Sequence, residues 1–507
     1  MSRRKLFAAC LFAFLFCLLL SGCGTSVPYV HFSFATVPAD AAELTAILTP
    51  EDIPLLDQLP QLRWADFSGS ACYEEIYSWG AAHPEVELRY TVPFPDGADV
   101  SNRAEALNLS ELSASDIEQA VPLFYFLPEL KSVNLGEEPG KFSTEQLLSF
   151  HEAYPQVQFI AALSLGGQRF SSAVQALSLP ELDTARTEEL IGLLPLLPML
   201  KTVDLGAESE DRDFGFEALS TLQFVAPEVR FEYSFKLFGK TFSSTDTSMD
   251  LNHVKMKDGA AVREAISCMP ELRYLDMDSC GVSNEDMAAL RDDFPDVKVV
   301  WRVWFGRNYS VRTDVEKILA SRPSAGGNLT DGNTEALQYC TDVKYLDIGH
   351  NETLKDVSFV SCMPKLEVLI IAMSACRDAT PLASCTELEY LEIQTTELRD
   401  LTPLSGLTKL KHLNIAHLPK LKDIRPLYSL TQLERLWIGY MDPIPEEQIK
   451  TMRRLAPDCE INTTTVDPTG GGWRYTSEGM HPRYELLVEQ FGYLKFDYAF
   501  IWRDPLY

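Results

Sequence analysis

Five stretches decide the fold: VKYLDI at 343–348, LEVLII at 366–371, LEYLEI at 388–393, LKHLNI at 410–415 and LERLWI at 433–438. Their starts are 23, 22, 22 and 23 residues apart. Positions one, four and six of each are apolar, and positions four and six are two apart, as the inward residues of a short strand are. A second pattern runs between them. Asp356-Val357, Asp378-Ala379, Asp400-Leu401 and Asp423-Ile424 each lead to a further apolar pair, and Pro381-Leu382, Pro403-Leu404 and Pro426-Leu427 complete three of these. A unit of this size cannot bury its apolar face alone, so neighbouring units must stack. The aspartate offers a carboxylate to backbone donors of the turn. The proline, which has no N–H, helps to end each connection.

This spacing is the LxxLxL period of leucine-rich repeats. Together with the aspartate–proline half it resembles the 22-residue repeat of the internalin family, over about 120 residues. The expected fold is an α/β solenoid: a curved superhelix with a parallel β-sheet on its concave face and helices or 3-10 turns on its convex face.

Working upstream, the same core returns at a longer period. Leu62-Arg-Trp-Ala-Asp-Phe, Leu130-Lys-Ser-Val-Asn-Leu, Leu200-Lys-Thr-Val-Asp-Leu and Leu272-Arg-Tyr-Leu-Asp-Met start 68, 70 and 72 residues apart, and Val343 follows after 71. Pro84, Pro155, Pro227 and Pro295, each opening a strand-like segment, keep the same beat, and a weaker series runs through Leu107, Leu177, Met249 and Leu319. Three strands per roughly 70 residues average to the leucine-rich period, so residues 41–322 read as super-repeats of three unequal turns. The run Val229–Gly239 predicts a strand that turns and returns, and such β-hairpins are expected to project from the solenoid. Helical spacing is read between Leu135 and Pro155 and between Met277 and Pro295, the latter with Met287, Leu290 and Phe294 on one face. Residues 323–462 hold the internalin-like repeats, ending in a helix and strand at 441–462. The aromatic-rich stretch 463–507, with Tyr484, Phe491, Tyr493, Phe496, Tyr498, Phe500 and Trp502, reads as a C-terminal cap over an exposed core edge.

Residues 1–22 read as a lipoprotein signal peptide: Arg3, Arg4 and Lys5, an apolar run from Leu6 to Leu20, then Leu20-Ser-Gly-Cys23. That motif resembles the bacterial lipobox, which implies diacylglyceryl attachment at Cys23 and a chain anchored to the outer face of the cell membrane. Residues 23–40 would form a tether and N-terminal cap. The chain as a whole resembles leucine-rich repeat lipoproteins of gut Clostridia. Its 507 residues exceed a single core, which an array of stacked turns accommodates. The formal charge of −29 disfavours nucleic acid, and cleavage before Cys23 removes three positive charges to give −32. Eight other cysteines remain in the mature chain. Cys268, Cys340, Cys362 and Cys385 recur just before the first leucine of a repeat, which predicts packing positions holding mostly free thiols.

No catalytic constellation stands out, and neither a cofactor nor a metal is expected. Gly470-Gly-Gly472 before Trp473 lacks the lysine of a phosphate loop and reads as a plain loop. His481-Pro-Arg-Tyr484 reads as packing rather than acid–base chemistry. Asp331, Asn333 and Glu335 alternate like calcium ligands, but the later positions of a twelve-residue loop are missing. Recognition is the expected activity. Residues between the leucines face the concave surface: Tyr345 and Asp347, Val368 and Ile370, Tyr390 and Glu392, His412 and Asn414, Arg435 and Trp437, with His417 and Tyr440 just beyond. Tyr, Trp and Arg dominate binding hot spots. Tyr345, Tyr390, His412, Asn414, Arg435, Trp437 and Tyr440 are therefore the candidate ligand-binding strip; the alternatives are a neutral solvated face or a strip covered by the C-terminal cap. On the strip reading Ile370 and Trp437 are exposed and have no core reason to be apolar. The expected protein is a monomeric, non-catalytic binder of a protein or glycan; the alternative is an envelope scaffold whose repeats act as a spacer.

Overall fold

Each leucine-centred segment forms a three-residue strand whose middle residue is turned into the core. This is the outcome of period-two alternation when one face is buried. The computed structural model describes residues 27–138, 140–209, 212–321, 329–439, 444–464, 466–469 and 472–491. The signal segment, Cys23 and Tyr440 lie outside them, as do the aromatic residues beyond Phe491. Among the described residues no helix is long and apolar enough to cross a membrane.

The chain divides into two compact units. The first holds residues up to Ser178 together with 182–203 and 225–230, and the second holds the rest. In the first unit a hairpin of Tyr29–His31 and Thr36–Pro38 precedes two parallel sheets. One is Glu43–Thr45, Trp64–Asp66 and Glu87–Arg89; the other is Ala106–Asn108, Ser132–Gly136 and Gln158–Leu165. Helices Tyr73–Ala82, Ala114–Ala120 and Thr144–Ala153 connect the strands. The last begins with a capping box, in which Ser143 and Gln146 exchange side-chain and backbone hydrogen bonds.

The 70-residue beat has a structural marker that the sequence reading did not single out. After each leading strand the chain turns back as a hairpin, and one buried polar side chain fastens the return. Ser172 Oγ accepts from the Ala161 N–H at 3.0 Å and donates to the Phe159 carbonyl at 2.6 Å. Ser244 repeats this between Tyr233 N–H and the Phe231 carbonyl, at 2.9 and 2.7 Å. Asn102 does the same between Tyr90 and Leu88, and Thr313 Oγ1 accepts from the Trp301 N–H. The hairpin at 234–243 is the one expected from the run Val229–Gly239. In the second unit Ser248–Asp250, Tyr274–Asp276 and Lys298–Val300 form a parallel sheet with helices Ala260–Ser267 and Asn284–Asp293 between its strands.

The quoted repeats form a seven-stranded parallel sheet: Lys317–Leu319, Tyr345–Asp347, Val368–Ile370, Tyr390–Glu392, His412–Asn414, Arg435–Trp437 and Glu460–Asn462. One detail of the sequence reading shifts by a residue. Ile318, not Leu319, points into the core, and a slip of one moves a side chain to the opposite face. Opposite the strands run short 3-10 helices, Thr380–Ser384, Thr402–Gly406 and Arg425–Ser429, each with proline in its first turn, where a missing N–H costs nothing. The aspartates act as expected: Asp356, Asp378, Asp400 and Asp423 accept from the N–H two residues on, at 2.8, 2.8, 2.8 and 2.9 Å. All eight described cysteines are free and six are buried. Burial pushes the Cys340 thiol up to about 12, so it behaves as a small apolar group.

Candidate functional site

Parallel pairing places the outward residues of the seven-stranded sheet in two rows. One runs Lys317, Tyr345, Val368, Tyr390, His412, Arg435 and Glu460; the other runs Leu319, Asp347, Ile370, Glu392, Asn414, Trp437 and Asn462. The expected strip is thus assembled, but not as an open surface. Residues 466–469 and 472–491 cross it as a strap. Val368, Ile370, Ala372, Tyr390 and Trp437 join Trp473, Leu487 and Phe491 of the strap in one buried apolar cluster, with Tyr345 and Tyr484 packed against it. Of the candidate residues, Tyr390, His412, Asn414, Arg435 and Trp437 are buried and Tyr345 is half-buried. Expecting a solvent-open strip here was incorrect. Ile370 and Trp437 are apolar because they belong to a second core.

The polar members of the rows hold the strap. Glu392 is fully buried, and its carboxylate accepts from Trp473 Nε1 at 2.8 Å, Arg474 at 2.5 Å, Gln394 Nε2 at 2.9 Å and the Tyr390 hydroxyl. Burial alone would raise this carboxyl, but the Arg474 guanidinium and the donated hydrogen bonds hold it below its ordinary value. Burial and the adjacent Glu392 charge push the Tyr390 phenol well up, so it stays a neutral donor. Arg435 donates to the carbonyls of Gly472 and Trp473, both at 2.8 Å, and its guanidinium lies 4.4 Å from the centre of the Trp473 ring. His481 stands 3.1 Å from Arg435, and its Nδ1 accepts from the Arg483 N–H at the start of helix Pro482–Phe491. The 481–484 run is thus used in packing. Asn414 donates to the Pro468 carbonyl at 2.7 Å, and His417 meets the Val466 carbonyl. At the other end Lys317 Nζ donates to the Gln490 carbonyl and Gln490 Nε2 to the Tyr345 hydroxyl. Burial, then the nearby guanidinium of Arg435, pushes His412 down to about 3. The exposed Glu434 carboxylate, 3.7 Å away, is too well solvated to reverse this, and the imidazole is neutral at pH 7.

The first unit has the same two rows without a cover. Glu43, Trp64 and Glu87 align beside Thr45, Asp66 and Arg89; Ala106, Ser132 and Gln158 align beside Asn108, Asn134 and Ile160. None of these twelve is buried. Arg89 lies over the Trp64 ring at 5.7 Å.

No family model matches the chain, and no curated protein matches it. Solved structures do. An internalin from Listeria monocytogenes is 16% identical, with 86% of this chain and 87% of that one covered and a TM-score of 0.27. A leucine-rich repeat protein of Leptospira interrogans is 14% identical over 82% of this chain and 99% of its own, with a TM-score of 0.26. The functional domain of a second Listeria monocytogenes internalin, InlJ, is 17% identical over 46% and 59%, with a TM-score of 0.23. The fold is a leucine-rich repeat fold. The register of this chain's own strands carries that statement; the likenesses say nothing of its ligand.

Two residues of the strap, Trp473 and Arg474, escaped the sequence reading as site residues. Glu392, noted only as facing the strip, was a signal for them: a carboxylate amid Val368, Ile370, Tyr390 and Trp437 requires a cation from elsewhere in the chain.

Proposed function

We propose that this chain is an exported, lipid-anchored, non-catalytic leucine-rich repeat protein that binds a protein ligand on the open rows of its first unit. The observation that supports this is the uncovered face itself. It combines one aromatic–arginine pair, Trp64 and Arg89, with carboxylates and amides at strand spacing. Glu43, Asp66 and Glu87 outnumber Arg89 there, which favours a neutral or basic partner surface. A glycan reading rested on an aromatic ladder able to stack on sugars, and those aromatics lie beneath the strap. Anchoring through Cys23 rests on the signal and lipobox pattern alone.

A photo-crosslinking amino acid at Asn134, on the open row, tests the reading against the same group at Lys409, an exposed residue of the second unit outside its strands. The expected result is a discrete protein adduct from position 134 in intact cells and none from 409. Equal labelling at both positions, or none at 134, contradicts it. Mass spectrometry of the mature N-terminus tests the anchor: the expected species begins at a diacylated Cys23.

A further inference from the structure

We propose that residues 466–469 and 472–491 are a built-in, exchangeable occupant of the seven-stranded sheet's outer face, and that only a polypeptide bringing an arginine to Glu392 replaces them. This goes beyond recognition at the first unit and stands or falls separately from it.

The strap contacts the face as a bound peptide contacts a receptor. Main-chain carbonyls at Pro468, Gly472, Trp473 and Gln490 are read by Asn414, Arg435 and Lys317. Side-chain selection is concentrated at one place, where the Trp473 indole and the Arg474 guanidinium converge on Glu392. Without a guanidinium that carboxylate would be buried and unpaired, so an apolar segment alone cannot substitute.

The strap interface is also less complete than the leucine core beneath it. Nine buried side-chain polar atoms among the described residues lack a hydrogen-bond partner. Five of them lie here: Gln394 Oε1, His412 Nδ1, Arg435 Nε, Arg474 Nε and Gln490 Oε1. A polar atom buried under the strap without a protein partner costs free energy on docking, which weakens the closed state relative to the core. Between the last strand, which ends at Asn462, and Trp473 the described residues Thr463, Thr464, Asp467 and Thr469 are polar and exposed or half-buried, so none of them anchors the strap in an apolar core.

The test uses the full exported chain and a labelled synthetic peptide of residues 472–491. A Trp473→Ala/Arg474→Ala chain, its own strap loosened, should bind the peptide at least about tenfold more tightly than the unaltered chain does. A peptide carrying Arg474→Ala should lose about a hundredfold or more on that variant. A variant that melts as the parent does yet takes up no peptide overturns the proposal, and so does equal binding of the arginine-free peptide. If the variant does not fold, amide exchange on the unaltered chain decides: helix 482–491 should exchange at least about tenfold faster than strands 390–392 and 412–414. Equal rates make the strap part of the core and refute exchange.

Discussion

In the first unit the outward rows read Glu43, Trp64, Glu87 and Thr45, Asp66, Arg89; in the seven-stranded sheet the corresponding stretch reads Tyr345, Val368, Tyr390, His412, Arg435 and Asp347, Ile370, Glu392, Asn414, Trp437. The backbone pairing is the same parallel ladder, and both inner faces are apolar. Only the residues between the leucines differ. Where they are mostly charged or polar, with Trp64 the single aromatic, water reaches them and the face stays open. Where they are large and apolar, the strand is apolar on both sides, and a parallel sheet of that kind is covered on both sides. The chain supplies the second cover from its own C-terminal segment. Open and closed faces on one scaffold therefore divide the labour: one is free for a partner, the other is an interior with an ionic lock.

This contrast is open to direct attack. The largest effect is expected at the lock. Arg474→Ala leaves Glu392 buried and uncompensated, at about 3–5 kcal/mol of strap docking. The matched change Arg89→Ala on the open face should cost about 1 kcal/mol or less. Chemical denaturation followed by tryptophan fluorescence compares the two, and equal losses would erase the distinction. Next come the hairpin fastenings of the long repeats. Ser244→Ala strands the Tyr233 N–H and should lower stability by about 1–3 kcal/mol, with Ser244→Thr restoring part of it. A smaller loss, about 1 kcal/mol, is expected for Asp378→Ala in the 22-residue repeats, where the carboxylate caps one exposed N–H. Of comparable size, about 1–2 kcal/mol between pH 6.5 and 5, is a pH slope confined to the closed face. His412 is held at about 3, below its unfolded value near 6.5, so the unfolded chain binds more protons between these values. His481 is shifted in the same direction, by burial and Arg435. Stability should therefore fall as pH drops from about 6.5 to 5, above the range where carboxylates titrate. His412→Gln should flatten that slope in a series of thermal melts.

Much of this architecture was legible. The 22-residue register, the aspartate turns and the 70-residue beat are local repeats, and local periodicity is what a sequence displays. The strand at 317–319 was read one residue late because a single Ile-Leu pair fits either alternation. A cover by the C-terminal cap was among the readings of the strip, but its contacts were not legible because the partners are distant: Trp473 and Arg474 meet a glutamate 81 and 82 residues earlier. Reading Trp437 and Ile370 as exposed binding residues followed from assuming one buried face per strand. Two apolar faces in a row of strands are better read as a demand for a second layer. Glu392 among them marks where that layer must carry a positive charge.

The most direct test of the open–closed contrast is oxidative footprinting of the intact chain by mass spectrometry. Trp64, on the uncovered row, should be modified readily. Trp437 and Trp473 should stay protected until the strap is released by Arg474→Ala. Modification of Trp437 in the unaltered chain at the rate of Trp64 would mean that the face is open, and would contradict the account.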